Sequence, residues 1–280
     1  MSYRIVMDSC GELTNEMQNS GKIVSVPLTL EVNGKRILDD ETFDQTYFLA
    51  QMAESDEAPR SSCPSPEAYM EAYHCAAERI YAITLSGALS GSYNSATLAK
   101  NLYPEEYEEE KTIHVFNSKS ASGGETLVAK KIMECEAKGL SYEKVIAEVE
   151  AYIAEMKTYF ILESLENLRK NGRLTGLKAL MASALNIKPI MSSDENGMIC
   201  QISQARGMKK GLKKMIDVIC EATKYAETKS LVITHVNARE RAEVVKNMLE
   251  KKMPLKEIFI LDTKGVSSMY AEEGGIIIAL

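Results

Sequence analysis

No stretch of the 280 residues approaches a membrane span of roughly 20 consecutive apolar residues, and the opening Met1-Ser2-Tyr3-Arg4-Ile5-Val6-Met7-Asp8 lacks the apolar core of a secretory signal. The expectation is a cytoplasmic protein with no stable membrane insertion. Nor is there a basic tract to offset a formal net charge of −7 and a pI near 5.3, which argues against a nucleic-acid partner. Six cysteines, at 10, 63, 75, 135, 200 and 220, contain no Cys-x-x-Cys pair, and three histidines, at 74, 114 and 235, share no ligand spacing. Reduced, mostly buried thiols and no metal are expected. Two further motifs are missing. Without a Gly-x-x-x-x-Gly-Lys-Ser/Thr loop nothing marks a nucleotide site, and without a Gly-x-Ser-x-Gly elbow nothing marks a serine hydrolase of the α/β kind.

What is present is apolar content of 45%, ample for a packed core, in a length that suits two domains. The most informative stretch is Ile83-Thr84-Leu85-Ser86-Gly87-Ala88-Leu89-Ser90-Gly91-Ser92-Tyr93-Asn94-Ser95-Ala96. Arg79 to Thr84 reads as a buried strand and the residues after Ser92 as a helix. The Ser/Gly turn between them then offers free N–H groups at the positive end of a helix, which suits a carboxylate or phosphate. An ordinary strand-to-helix turn with a serine cap explains the same residues.

The design recurs. Arg4 to Met7 ends in Asp8-Ser9-Cys10-Gly11, and Thr112 to Phe116 ends in Asn117-Ser118-Lys119-Ser120-Ala121-Ser122-Gly123-Gly124 before a helix bearing Leu127, Val128, Ile132 and Cys135. Asp8 and Ser9 serve either a ligand or the capping of their own turn. Ile23 to Val32 reads as one strand, Asn33-Gly34 as a hairpin turn to Lys35–Leu38, and Asp39-Asp40-Glu41 as solvated surface. Ser61 and Ser62 either face a ligand or belong to a flexible connector. Ser65 caps a helix that begins at Pro66, and Ser141 caps another carrying Val145, Val149, Tyr152 and Met156. Thr158 to Leu162 closes this half as a strand. Strands alternating with helices predict a Rossmann-like parallel sheet with flanking helices over residues 1–160, its polar turns gathered along one edge.

Residues 161–280 read as an α+β domain with a mixed sheet. Arg169-Lys170-Asn171-Gly172-Arg173 is a basic cluster beside an apolar stretch through Leu177, Leu180, Met181 and Leu185; it is either a solvated face or an anion and docking contact. A hairpin spans Asn186–Met191 and Met198–Ser203, with Arg206 at its far end. Helices follow at Leu212–Thr223 and Ala242–Leu249, and strands at Leu231–His235, Glu257–Leu261 and Gly275–Leu280. His235 reads as a hydrogen-bonded structural residue.

Taken in order, Asp8-Ser9, Ser61 to Pro66, Leu89 to Ala96, Leu165 to Leu174, Lys188-Pro189-Ile190 and Arg206 resemble the signature stretches of the DegV family along essentially the whole chain. The resemblance implies a bacterial lipid-binding protein of the EDD fold that takes part in phospholipid metabolism. A long-chain fatty acid would lie between two α/β domains, as ligand and not cofactor, presented by a non-enzymatic carrier to a separate fatty acid kinase. By motif position, Ser61 replaces a threonine of the family, Ser90 matches the serine at the head group, and Gly91 offers its N–H. Ser92, Ser118 and Ser122 complete the hydroxyl set, while Arg169, Arg173 and Arg206 match arginines near the pocket mouth or the kinase contact. Where the family commonly carries a histidine before Gly-Pro-Gly, this chain reads Ser268-Met269-Tyr270-Ala271-Glu272-Glu273-Gly274-Gly275, with Tyr270 at that place. A phenol donates a hydrogen bond but carries no positive charge. The alternative from another class is a serine-dependent lipid hydrolase or acyltransferase with Ser90 as nucleophile; a dihydroxyacetone-kinase-like reading lacks a nucleotide site.

Overall fold

The computed structural model describes residues 2–174 and 186–280; the apolar positions Leu177, Leu180, Met181 and Leu185 lie outside them. The chain runs β1 (Tyr3–Asp8), α1 (Asn15–Asn19), β2 (Ile23–Val26), β3 (Thr29–Val32), β4 (Lys35–Leu38), α2 (Gln45–Glu54), β5 (Arg60–Ser62) and α3 (Pro66–Tyr73). Next come β6 (Arg79–Thr84), α4 (Ser92–Tyr107), β7 (Thr112–Asn117), α5 (Gly123–Ala137), α6 (Tyr142–Glu155), β8 (Thr158–Ile161) and α7 (Glu166–Lys170). The remainder is β9 (Ile187–Ser193), β10 (Ile199–Arg206), α8 (Met208–Ala222), β11 (Ser230–His235), α9 (Arg239–Glu250), β12 (Glu257–Asp262), α10 (Gly265–Ala271) and β13 (Ile276–Ala279).

Alternation along each strand decides the layers. In the parallel sheet β2-β1-β6-β7, Val6, Ile80 and Ala82 pack on one face against Tyr69, Tyr73, Ala96 and Tyr103 of α3 and α4. Their neighbours Ile5, Met7, Tyr81 and Ile83 point the other way, onto α5 and α6. A second, mixed sheet has the order β10-β9-β8-β13-β11-β12. Its outer residues, Ile161, Ile233 and Ile278 among them, pack under α8 and α9, while Val232 and Ala279 face inward to α5.

The first turn of α5 is therefore buried between two sheets. A Cβ on Gly123 would come within 2.6 Å of Val232 Cγ1, so only glycine admits this approach. A small antiparallel sheet, β4-β3-β5, joins α2 and α10 to cover the space that α5 leaves open, through Leu28, Leu30, Phe48, Val266 and Met269.

Four sequence readings are corrected here. Ile23–Val32 is two strands because Pro27 interrupts it; the Leu28 amide donates to Ser9 Oγ at 3.0 Å instead of to a ladder. Asp39 is fully buried, not solvated. Ser61 and Ser62 form β5, paired to β3, and are no flexible connector. Thr158–Ile161 sits in the second sheet, antiparallel to both β9 and β13, so a boundary at residue 160 falls inside β8. A four-residue strand buried on both faces carries no pattern that says which sheet will take it.

Candidate functional site

The carboxyl ends of β1, β6 and β7 bring three turns together. The buried Asp8 carboxylate accepts from the Leu85 amide at 2.9 Å and the Cys10 amide at 3.2 Å, which joins the first turn to the second. The Ser86 amide donates to the Ser120 carbonyl at 2.7 Å, joining the second to the third. Ser86 Oγ reaches across to the Gly197 carbonyl at 2.9 Å, in the β9–β10 hairpin. At the start of α4 the Ser92 amide donates to Ser90 Oγ at 3.2 Å, and the two hydroxyls lie 3.1 Å apart. No acceptor for the Gly91 N–H is found among the described residues. A Cβ at Gly91 would stand 3.0 Å from Cys63 Sγ, so glycine keeps this backbone open on the cavity side.

Beside the turns, between the two sheets, lies a cavity of about 310 Å³, at the small end of the range of ligand pockets. Its middle is apolar, with Leu28, Leu85, Phe160, Leu162, Ile199 and Ile277 on the wall. Ser61, Ser90, Gly91, Arg173 and Tyr270 form a polar end. Two local devices place the last two. Asp39 accepts from the Gly265 and Val266 amides at 2.6 and 2.9 Å, anchoring α10 so that Tyr270 enters the cavity. Helix α7 ends on Gly172 at φ 74°, with Arg173 N–H donating to the Leu168 carbonyl and Gly172 N–H to that of Arg169, a Schellman closure that turns Arg173 back over the site.

There the Tyr270 hydroxyl and Ser61 Oγ are hydrogen-bonded at 3.0 Å, and the Arg173 guanidinium stands 5.8 Å from the phenol ring centroid. Arg173 Nε also donates to the Leu89 carbonyl at 3.2 Å. Burial raises the Tyr270 pKa, with Ser61 and Arg173 opposing, so the phenol stays protonated at neutral pH. Arg173 thus places a positive charge beside the neutral phenol.

Of the sequence-predicted residues, Ser61, Ser90, Gly91, Arg173 and Tyr270 meet at this end, and Ser122 lines the wall. Ser122 Oγ is engaged with Glu12 Oε2 at 2.8 Å and Thr234 Oγ1 at 2.7 Å. Ser92 and Ser118 are fully buried and do not line the cavity; Ser118 Oγ donates to the Ser120 carbonyl. Arg169 is exposed and pairs with Glu166, and Arg206 is exposed at the end of β10; neither lines the cavity. Glu272 and Glu273 border a separate hollow with Lys170 and Asn167.

Sequence reasoning marked Asp8 but missed the cavity wall from β8 and the buried acids Glu12 and Glu125 behind the turns. Neither had a sequence signal: Thr158-Tyr159-Phe160-Ile161-Leu162 shows no polar–apolar alternation, and nothing local marks Glu12 or Glu125 as buried. Asp8, Cys10 and Glu125 bring their ligating atoms within 4.8 Å of one another. Burial raises Asp8 to about 6 and Glu12 to about 7; burial and then the Asp8 charge push Glu125 well above the carboxylate range. A divalent ion here would be bound by the deprotonated forms of these groups, with release of their protons.

The fold and this cavity define a class, an α/β protein whose two sheets enclose a cavity with an apolar wall and a polar end. The DegV family model, described as uncharacterised proteins, matches residues 2–280. A DegV domain-containing protein of Streptococcus pneumoniae is 36% identical over 280 residues, covering 99% of this chain and 98% of its own. Among solved structures, a DegV family protein of Ruminococcus gnavus refined with vaccenic acid is 53% identical, with a TM-score of 0.97 and 100% of both chains covered. The fatty acid kinase (Fak) B3 protein of S. pneumoniae, loaded with linoleic acid, is 34% identical, with a TM-score of 0.89 over 100% of this chain and 99% of its own. The chain belongs to the DegV family.

Proposed function

We propose that this protein binds a long-chain fatty acid in the cavity between its sheets and presents it to a separate fatty acid kinase, without catalysing a reaction itself. The observation that carries the reading is the division of one cavity into an apolar wall and a donor-rich end at Ser61, Ser90, Gly91, Tyr270 and Arg173. Burying each methylene stabilises the complex by about 0.8 kcal/mol, so the hydrocarbon supplies most of the affinity. The carboxylate accepts from hydroxyls, an amide and the phenol near a guanidinium, which keeps it ionised and fixes its direction. Fatty acids in the R. gnavus and S. pneumoniae relatives support the ligand, and the name of the latter supports the partner. Arg169 and Arg206, exposed and outside the cavity, are offered as contacts to that kinase.

A nucleophilic role for Ser90 is not favoured, since among the described residues no histidine is hydrogen-bonded to it. His74 Nδ1 is hydrogen-bonded to Tyr103, His114 Nε2 contacts Glu150, and His235 is buried beside Asp262. The test is mass spectrometry of lipid extracted from the purified protein, with ester turnover measured in parallel. One intact fatty acid per chain and no turnover is the expected result. Protein that carries no lipid and binds none on titration overturns the reading.

A further inference from the structure

The cavity has a second polar end. Thr158, Phe160 and Leu162 all line it, alternate residues of one extended segment, and the four steps from 158 to 162 span about 13 Å. Leu162 clusters with Leu168, Ala271 and Tyr270, which is the polar end already described. Thr158 lies at the opposite end, where Ser120 and Ser192 also line the wall. All three hydroxyl residues are buried, at 4%, 6% and 4% exposure for Ser120, Thr158 and Ser192.

Their protons do not balance. Ser192 Oγ donates to the Thr158 carbonyl at 2.8 Å. Ser120 Oγ and Thr158 Oγ1 hydrogen-bond each other, which uses one of their two protons. For the other, the single protein acceptor among the described residues is the Ala121 carbonyl, 3.4 Å from Ser120 Oγ, well beyond the roughly 2.7–2.8 Å of a good O–H···O bond. Lys119 also lines the cavity. A plain methyl terminus gives this donor nothing, whereas an oxygen on the ligand would accept from it.

Resting on the fatty-acid reading above, we propose that the ligand class includes acyl chains that carry a hydroxyl group toward the end remote from the carboxylate, held by Ser120 and Thr158. In a wholly apolar tunnel a terminal hydroxyl loses its water partners and weakens binding by about tenfold or more. Here the Ser120–Thr158 pair replaces them.

The test is calorimetric titration of delipidated protein with palmitic acid, ω-hydroxypalmitic acid and α-hydroxypalmitic acid. The ω-hydroxy acid is expected to bind within about threefold of palmitic acid, or tighter, because the protein bond offsets lost hydration. The double variant Thr158→Val with Ser120→Ala should lower the affinity for the ω-hydroxy acid relative to palmitic acid by about tenfold, while the ratio of α-hydroxypalmitic to palmitic acid holds and an unchanged far-UV circular dichroism spectrum reports an intact fold. Native protein that already binds the ω-hydroxy acid about tenfold more weakly than palmitic acid overturns the proposal, since the spare proton is then met by water. An unchanged affinity ratio in the variant overturns it too. Native protein that binds none of the three overturns the fatty-acid reading itself, and this inference with it.

Discussion

The Ser90 hydroxyl works in two directions, accepting the Ser92 amide behind it and lining the cavity in front. Ser90→Ala is expected to weaken fatty-acid binding by about 1–3 kcal/mol, the usual loss when a charged acceptor loses a buried donor. A titration showing unchanged affinity removes Ser90 from the site. Tyr270→Phe keeps the ring under Arg173 and deletes only the hydroxyl bonded to Ser61. Affinity should fall by about 1 kcal/mol, with the thermal midpoint of the unliganded protein barely moved. A variant as tight as the native protein places the carboxylate away from Tyr270. Ser90 and Gly91 were legible because glycine and serine between a strand and a helix have a backbone meaning. Arg173 was legible only as one of three basic residues; what separates it from Arg169 is the Gly172 closure, a conformation that composition does not express.

At the level of elements, α10 shows where reading the sequence stops. Its seven residues, Gly265–Ala271, hold a single apolar i, i+3, i+4 set, Val266, Met269 and Tyr270, too short to mark a helix, and its anchor, Asp39, stands in an acidic run that reads as surface. The carboxylate is buried because it accepts from Ser9 Oγ as well as from two α10 amides. Asp39→Ala leaves those donors buried without an acceptor and should cost about 2–4 kcal/mol, read as a lower denaturant midpoint. Ligand affinity should fall as well, since Tyr270 rides on this helix; an unmoved midpoint would mean that α10 is held by its apolar contacts alone. Helices with strong signals behave as read. Ser65 and Ser141 accept from the Ala68 and Lys144 amides and start α3 and α6 as expected. The order of strands in the second sheet is not local information, and so β8 was misplaced while its existence was not.

Across the whole molecule, the layer junction at β1 and α5 buries Asp8, Glu12 and Glu125. Acids whose folded pKa lies above the unfolded value bind more protons when folded, so stability is fullest below about pH 4 for these groups and declines as pH rises through 6 and 7. Carboxylates held low by ion pairs, such as Glu163 beside Lys188 and Arg241, act in the opposite sense at acid pH. The expected outcome is a denaturation midpoint that peaks near about pH 5 and falls toward pH 8. Glu125→Gln, which mimics the protonated form, should flatten the alkaline side; a steeper fall would show that Glu125 is ionised in the native state. The strand order of the second sheet has a different consequence. Because β13 lies between β8 and β11, the two are bridged, among the described residues, by a strand made after both. On the ribosome the parallel sheet can close early, while β8 and β11 wait as exposed edges for a partner synthesised more than forty residues after β11 begins. Nascent chains stalled before Ile276 are therefore the form of this protein most exposed to mispairing and most in need of a chaperone.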